Sequence, residues 1–510
     1  MNTPLRRVGL VILGMIVLLL ANATYIQIVK ADDYRADPRN QRLLLEEYSR
    51  QRGLIVTADK QADVMATVQE TNDRLRYQRV YPRPQLYAPI TGFYSVRYGA
   101  TGLERTEDEI LNGSDDRLFV RRLSDLITGR DPRGGNIVTT IRHPVQEAAY
   151  NAMVDNDFTG AVVALDPRDG QILAMVSTPS YDPNPISNHD SDTQEQAYNQ
   201  VSDENNPAKP LLNRAISENY TPGSTFKLVT ASAALEDGKD ANTQLTASPG
   251  IDVINGQPCD PGDGSTRCLS NYNGNRCGGG DTAPMKTAIE MSCNTAFAQL
   301  AHELGEDKLR NQAARFGIGE TGVTTPLSVV PSCLGDRALG NCMNIEDGPG
   351  LYQSGIGQKD VRITALENAS IAGTIANGGV RMKPQLVQRI LAPDLDEISD
   401  YEPEELGEAI SSSNADSLRD MMILSENHTS GDGKNPELKI ASKTGTAETG
   451  ADPKNTPPFA WYVAFAPADN PRVAVAVVVE SRDVAATGGK LSAAIGRTTI
   501  AAAMAMDGGR

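Results

Sequence analysis

A long apolar run near the start of the chain dominates its pattern of hydrophobic and polar positions. The run covers residues 8–29, and a helix rising about 1.5 Å per residue over that length can cross a hydrocarbon layer of roughly 30 Å. Arg6 and Arg7 precede it, so the positive-inside rule predicts a cytoplasmic N-terminus, with everything after Lys30 outside the cytoplasm. A cleaved signal peptide usually has a shorter apolar region that ends in a small-x-small site. We therefore predict an uncleaved anchor in the lipid bilayer, formed by residues 1–30.

The region after this run is polar, rich in arginine and interrupted by prolines. It extends from Asp37 to about Asp131, and its apolar runs are short, as at residues 53–56. Such a pattern supports short strands and a small core. We predict that residues 31–155 form an elongated pedestal or dimerisation domain.

Short apolar runs rich in β-branched residues predict strands in the remainder of the chain. The first two, residues 160–166 and 171–177, are joined by Pro-Arg-Asp-Gly, which indicates a hairpin. Three more follow near the other end of the chain, at 439–446, 461–466 and 473–480. Together they predict a five-stranded antiparallel sheet.

The segments of sequence between these strands show helical periodicity. The predicted helices of this region are 225–235, 284–304, 307–316, 364–377 and 490–506. A further strand at 136–141 and a helix at 144–153 precede the sheet, and the acidic stretch 394–408 is interpreted as a solvated connection. Helices packed on an antiparallel sheet define an α+β domain, which we assign to residues 156–510.

Charge and cysteine content narrow the possible functions. The formal net charge of -17 disfavours nucleic acid as a partner, because phosphates would be repelled. All six cysteines lie between Cys259 and Cys342, on the side predicted to be outside the cytoplasm, where disulfides can form. Their connectivity is not determined by the sequence. Neither a C-x-x-C pair nor a histidine close to the cysteines is present, so we expect no metal site and no cofactor.

A serine and a lysine three residues apart are the first candidate for catalysis. Ser224 and Lys227 form an S-x-x-K pattern directly after Pro-Gly, and on a helix this spacing puts both side chains on one face. The first turn of a helix favours negative charge that develops on a serine oxygen. Lys227 can act as a base only if burial and nearby cations keep part of its population neutral. Alone, the pattern is common and equally fits a helix cap.

Two further patterns follow in a fixed order. Ser292 and Asn294 form S-x-N in the predicted helix 284–304, which supplies a hydroxyl that can relay a proton and an amide that can orient a carbonyl. Lys-Thr-Gly-Thr at 443–446 lies on a predicted edge strand, where Lys443 supplies charge, Gly445 permits close approach, and Thr444 and Thr446 supply donors. This ordered set is typical of penicillin-interacting serine enzymes.

With these motifs the chain resembles class B penicillin-binding proteins, in particular the actinobacterial penicillin-binding protein A type. The resemblance begins at the anchor and covers most of the chain. The segments that carry it, besides the three motifs, are residues 37–41, 47–53, 87–95, 213–216, 355–358 and 376–379. Phe459 stands where close relatives tend to carry His, and the cysteine-rich insertion at 255–280 looks longer than in relatives.

The resemblance implies a peptidoglycan D,D-transpeptidase in which Ser224 attacks a D-Ala-D-Ala stem peptide and Lys227 takes its proton. Ser292 would pass a proton to the leaving amine, Asn294 would hold the lysine and the stem, and Lys443, with Thr444 and Thr446, would bind the terminal carboxylate. β-Lactam antibiotics would be trapped at the acyl stage. The family also implies a polytopic glycan polymerase as a partner.

Two other functions remain open from the sequence. In a D,D-carboxypeptidase or β-lactamase, water rather than an amine would resolve the acyl-enzyme, although the anchor and pedestal argue against a soluble lactamase. A β-lactam sensor or silent scaffold would generally need several membrane segments or a cytoplasmic effector.

Overall fold

The apolar run near the start forms a helix. In a computed structural model, which describes residues 2–30, 48–119, 133–263, 265–322, 325–335, 342–345, 348–450 and 455–507, helix α1 spans Asn2–Thr24 and a π-helical turn continues over Tyr25–Val29. The stretch Arg6–Gln27 is long and apolar enough to cross a membrane, and it is not buried against the protein. The predicted apolar helix is confirmed.

Strands follow from residue 55 onward. They are β1 (Ile55–Val56), β2 (Val64–Glu70), β3 (Tyr77–Val80), β4 (Tyr94–Ser95), β5 (Gly99–Ala100), β6 (Asn136–Thr139), β7 (Thr159–Leu165), β8 (Ile172–Thr178), β9 (Gln244–Thr246), β10 (Gly250–Asp252), β11 (Cys268–Ser270), β12 (Thr282–Pro284), β13 (Val380–Met382), β14 (Val387–Leu391), β15 (Glu397–Asp400), β16 (Glu405–Glu408), β17 (Ala441–Ala447), β18 (Phe459–Ala466) and β19 (Val473–Glu480).

Helices alternate with these strands in clusters. After α1 they are α2 (Pro84–Thr91), α3 (Gly102–Thr106), α4 (Asp108–Leu111), α5 (His143–Val154), α6 (Ser191–Ser202), α7 (Lys227–Glu236), α8 (Met285–Glu290), α9 (Asn294–Leu304), α10 (Glu306–Phe316), α11 (Pro349–Ser354), α12 (Ala365–Ala376), α13 (Ser412–His428) and α14 (Gly488–Asp507).

The predicted five-stranded antiparallel sheet is present, in the order β17-β18-β19-β7-β8. Its strands read as continuous apolar runs because helices cover both faces: α5 and α14 pack on one face and α12 on the other. Strand β17 is at one edge of the sheet, so it pairs with β18 alone. The α+β class is confirmed, and the edge strand is free to face a cleft.

A second, mixed sheet has the order β15-β14-β6-β1-β2-β3. Strand β1 pairs in parallel with β6, whereas β14 runs antiparallel to β6. Strands β14 and β15 come from residues 387–400, far along the chain from their neighbours, so chain order does not divide the two sheets cleanly. The boundary at residues 155 and 156 stays a prediction.

The stretch 394–408 is mostly exposed, as expected for a solvated connection, and it contains the strands β15 and β16. One expectation about local structure was wrong. The single helix predicted over 284–304 is broken, because α8 ends at Glu290 and α9 begins at Asn294. The break is at the S-x-N motif.

Candidate active site

The serine of the S-x-x-K motif lies in a turn that presents it to solvent. Gly223–Phe226 forms a 3-10 turn that leads into α7, which begins at Lys227. In a 3-10 turn, side chains three residues apart eclipse, so Ser224 and Lys227 share one side. Ser224 is half-buried, whereas the neighbours Thr225 and Phe226 are buried. The turn therefore exposes one hydroxyl on an otherwise packed element.

The amine of Lys227 is held by the S-x-N motif. Lys227 is fully buried, and its Nζ donates to the backbone oxygen of Ser292 at 2.7 Å and to Oδ1 of Asn294 at 2.8 Å. A longer contact of 3.4 Å joins Nζ to the hydroxyl of Ser292. Among the described residues no hydrogen bond involves the Ser224 hydroxyl, so Ser224 and Lys227 share one side without a hydrogen bond between them. Such bonds commonly tighten only when substrate is bound.

The break between α8 and α9 is what lets Ser292 reach both lysines. Ser292 has a φ of 58°, a left-handed conformation that is uncommon for a residue with a side chain and often marks functional sites. With this backbone its carbonyl faces Lys227, and its hydroxyl accepts a hydrogen bond from Lys443 Nζ at 2.8 Å. A regular helix would have directed that carbonyl along the helix axis.

Burial lowers the pKa of both lysines. For Lys227 desolvation is the main cause and the nearby charge of Lys443 adds to it, so its pKa lies well below that of an ordinary lysine. Desolvation lowers the pKa of Lys443 to about 7. A neutral amine has two N–H donors, which matches the two short bonds that Lys227 makes to Ser292 and Asn294. Its lone pair is then available to accept a proton.

Strand β17, which carries the K-T-G motif, and the 3-10 turn Gly223–Phe226 approach so closely that both need glycine. A Cβ on Gly445 would lie 2.7 Å from the backbone oxygen of Pro222. Gly223 has a φ of 54°, and a Cβ there would lie 2.7 Å from the backbone oxygen of Thr446. Thr444 and Thr446 are half-buried, and the Thr446 hydroxyl accepts a hydrogen bond from the Gly488 N–H at 3.4 Å. The backbone of Thr446 thus lies beside the turn that carries Ser224.

Several residues that sequence reasoning missed support the turn that carries Ser224. Asn368 on α12 donates to the Thr225 hydroxyl at 3.0 Å, and Trp461 on β18 donates through Nε1 to the backbone oxygen of Thr221 at 2.9 Å. Phe459, the departure from the family pattern, packs edge-on against Tyr220 with ring centroids 5.0 Å apart. No local pattern distinguishes these side chains from ordinary core residues, since their partners are distant in sequence.

All six cysteines are paired, as Cys259–Cys268, Cys277–Cys293 and Cys333–Cys342. The second bridge joins the cysteine-rich insertion to the middle residue of the S-x-N motif. The insertion also accepts a hydrogen bond from Asn294 Nδ2 at the backbone oxygen of Ser270, 2.9 Å away. It therefore buttresses the turn that holds Lys227. Within the described ranges, no group of three or more His, Cys, Asp or Glu side chains is arranged to hold a metal ion.

Models of known families match two parts of the chain. The penicillin binding protein transpeptidase domain matches residues 160–501, and the penicillin binding protein A dimerisation domain matches residues 52–137. The first match includes all three motifs and covers more than half of the chain.

Individual relatives match along nearly the whole length. The peptidoglycan D,D-transpeptidase PbpA of Mycolicibacterium smegmatis is 52% identical over 99% of both chains, and that of Mycobacterium tuberculosis is 51% identical with the same coverage. The structure of penicillin-binding protein A from M. tuberculosis as a ceftriaxone acyl-enzyme complex superposes with a TM-score of 0.84 at 49% identity, covering 90% of this chain and 100% of that one. Its penicillin G acyl-enzyme complex has a TM-score of 0.82. The chain belongs to the penicillin-binding protein transpeptidase family, as one of its class B members.

Proposed function

We propose that this peptidoglycan D,D-transpeptidase uses Ser224 to form an acyl-enzyme with D-Ala-D-Ala stem peptides, and that β-lactams acylate the same hydroxyl. The observation that carries the proposal is the convergence of two buried amines and one amide beside the half-buried Ser224. Lys227 donates to Asn294 at 2.8 Å, and the hydroxyl of Ser292 lies between Lys227 and Lys443. Three motifs separated along the chain thus form one cluster.

In the acylation step Lys227 is the general base. Its lowered pKa leaves a neutral amine that takes the proton from the Ser224 hydroxyl as the oxygen attacks the penultimate D-Ala carbonyl. The N–H groups of Ser224 and Thr446 stabilise the resulting oxyanion. Losing one donor from such a pair costs about 3 kcal/mol in comparable sites.

Departure of the terminal D-Ala requires a proton on its amine. Ser292 is suited to deliver it, because its hydroxyl contacts Lys227 Nζ at 3.4 Å and accepts from Lys443 Nζ at 2.8 Å. The proton taken by Lys227 can therefore pass through Ser292 to the leaving group. Lys443, with Thr444 and Thr446, binds the terminal carboxylate of the stem, and Asn294 orients its backbone.

An amine from a neighbouring stem then attacks the acyl-enzyme and releases Ser224, which forms the cross-link. The hydrolytic alternatives, a D,D-carboxypeptidase or β-lactamase, differ only in this step, where water replaces the amine. A silent sensor would not turn over a stem peptide at all. The yields of cross-linked and of hydrolysed stem peptide, measured with an added acceptor amine, together distinguish the three.

The rest of the chain supports a role at the membrane surface. Residues 1–30 anchor the protein, residues 31–155 raise the catalytic unit as a pedestal, and residues 156–510 carry the chemistry outside the cytoplasm. The glycan strands whose stem peptides this protein cross-links come from a polytopic polymerase that works beside it. These assignments rest on the apolar helix Arg6–Gln27 and on the family.

The test is labelling of the full chain in detergent by a fluorescent penicillin. Ser224→Ala is expected to abolish labelling. The matched control is Ser232→Ala in α7, the helix that follows the turn of Ser224. The buried Ser232 hydroxyl only donates to the backbone oxygen of Leu228 at 2.7 Å, so this variant should label like the wild type. Undiminished labelling of the Ser224→Ala protein would show that the nucleophile is another residue.

A further inference from the structure

A buried carboxylate lies behind the strand that carries the K-T-G motif. Glu426, near the end of α13, is only 8% exposed. Its Oε1 accepts a hydrogen bond from Arg497 Nε at 2.8 Å, and its Oε2 accepts from the Tyr462 hydroxyl at 3.0 Å and from the Ser442 hydroxyl. The three donors belong to α14, β18 and β17. One side chain therefore ties four elements together.

The charge of this carboxylate is balanced within the same cluster. Arg497 is 1% exposed, and its Nη1 donates to the backbone oxygens of Gly431 and Asp432, both at 2.8 Å. The hydrogen bonds of a buried ion pair hold its geometry, whereas removing one partner leaves an uncompensated buried charge. Nη2 of Arg497 is buried without a hydrogen-bond partner among the described residues. Through Arg497 on α14, the pair thus links the Glu426 carboxylate on α13 to the loop that follows α13.

Ser442 directly precedes Lys443, so a contact of the Glu426 carboxylate with Ser442 can affect the position of Lys443 in the candidate active site. Successive residues of a strand point to opposite faces, so Ser442 faces Glu426 while Lys443 faces Ser292. Strand β17 is at the sheet edge and pairs with β18 alone. On its other side residues 222 and 223 pack against the backbone of Gly445 and Thr446. The hydrogen bonds of Ser442 and Lys443 restrain rotation about the strand axis at the residues before that contact.

We infer that Glu426 is a positioning residue for catalysis: through Ser442 it sets the rotation of β17 and thereby the location of the Lys443 amine and the Thr446 backbone. The inference rests on the proposed function, in which both groups contact the stem peptide. Catalytic groups must be held within about 0.5 Å of their productive positions. Glu426 touches neither substrate nor the reacting atoms, so its action is indirect.

Two substitutions that each remove one donor from Oε2 separate positioning from stability. Ser442→Ala removes the donor on the strand that carries Lys443, and Tyr462→Phe removes the donor on β18, which is paired on both sides. Neither breaks the ion pair with Arg497. The measurement is the second-order rate constant for acylation by a fluorescent penicillin, recorded against pH, together with the thermal unfolding midpoint of the same full-length protein.

Ser442→Ala is expected to slow acylation by about tenfold or more, since small misplacements of reacting groups have effects of this size. Its pH profile should shift, because the contact between Lys443 and Ser292 changes. Tyr462→Phe should lower the unfolding midpoint comparably but keep acylation within about twofold of the wild type. Ser442→Thr, which retains the hydroxyl, should restore most of the rate.

Equal acylation losses in Ser442→Ala and Tyr462→Phe, following their stability, would overturn the inference, and so would a Ser442→Ala protein with an unchanged rate and pH profile. If Ser442→Ala is too unstable to purify, Ser442→Cys takes its place with the same expected order of rates. A failure of the proposed function appears elsewhere, as labelling of the Ser224→Ala protein.

Discussion

Two lysines buried within one cluster set the chemistry at the scale of single residues. Each would be expensive to bury as a cation without a partner, and both donate to oxygens of uncharged groups rather than to carboxylates: Lys227 to Asn294 and Ser292, and Lys443 to Ser292 and Thr444. No salt bridge involves either lysine within the part of the chain that the structure describes. Their charges therefore repel each other at low pH, which favours releasing the first proton from Lys227.

This arrangement predicts a bell-shaped pH dependence of acylation. The rate should rise with pH as Lys227 becomes neutral, because its pKa is lowered far below the ordinary lysine value. It should fall again as pH rises through about 7, where Lys443 of the substrate-free enzyme loses the charge that we propose binds the substrate carboxylate. The two limbs belong to the coupled pair rather than to either lysine alone. Stopped-flow acylation by a chromogenic cephalosporin between about pH 5 and 10 measures both limbs.

Lys443→Arg provides the control for this profile, since a guanidinium stays charged throughout the range. The variant should be slower overall, yet its rate should no longer fall above neutral pH. A wild-type rate that rises only near pH 10, as for an unperturbed lysine with a pKa of about 10.4, would contradict the burial argument.

At the scale of elements, the turn between α8 and α9 is held by covalent and polar contacts from the cysteine-rich insertion. Cys293, between Ser292 and Asn294, is bonded to Cys277, and the Thr295 N–H donates to Asn271 Oδ1 at 3.0 Å. The unusual backbone of Ser292 needs such support, because a residue with a side chain in the left-handed region is strained by about 1 kcal/mol or more.

Removing the bridge with Cys277→Ser and Cys293→Ser together should destabilise the protein and slow acylation. The bridge spans 16 residues, and the loop-entropy model gives about 3 kcal/mol for a loop of this size. Denaturant unfolding measures the stability loss, and labelling kinetics measure the effect on Lys227 through Asn294. Removing Cys333–Cys342, which adjoins no motif residue, is the control: it should lower stability with a smaller effect on labelling. Equal acylation rates in the two double variants would sink this prediction.

The same elements show which parts of the fold sequence patterns predict and which they do not. The strands β7, β8, β18 and β19 were predictable because buried β-branched runs bounded by turn residues have few other interpretations. The break at Ser292 was not, since helical periodicity continues through it and the contacts that hold the turn, including the Cys277–Cys293 disulfide, come from another segment. The chemical roles of Lys227 and Lys443 were predictable from the motifs. Their shared contact with Ser292 depends on tertiary packing that no local pattern encodes.

Supporting residues were beyond sequence reasoning for a related reason. In the sequence, Glu426 is indistinguishable from the other acidic residues of a polar helix. Asn368 is one polar position within an apolar helix. Their partners Ser442 and Thr225 are 16 and 143 residues away along the chain. Only the fold shows that each polar group is buried and needs a partner.

At the scale of the whole molecule, the anchor and the disulfides are two independent indications of where the catalytic unit is located. The helix Arg6–Gln27 is apolar enough to span a bilayer, and Arg6 and Arg7 precede or open it. Three disulfides use all six cysteines, and such bridges are typical of oxidising compartments and rare in the cytosol. Both features favour a catalytic unit outside the cytoplasm.

Topology reporters test this location directly. Alkaline phosphatase fused after residue 510 folds only where its own disulfides form, so the fusion should be active, and a fluorescent protein that matures only in the cytoplasm should stay dark at the same position. Deleting residues 2–30 should reverse both signals, because nothing then directs export. The cysteines supply an internal readout: protein from the anchored fusion should resist thiol labelling unless reduced, whereas the deletion variant should be labelled without reduction. An active phosphatase in the deletion variant, or a bright fluorescent fusion of the full chain, would contradict the orientation that the two arginines predict.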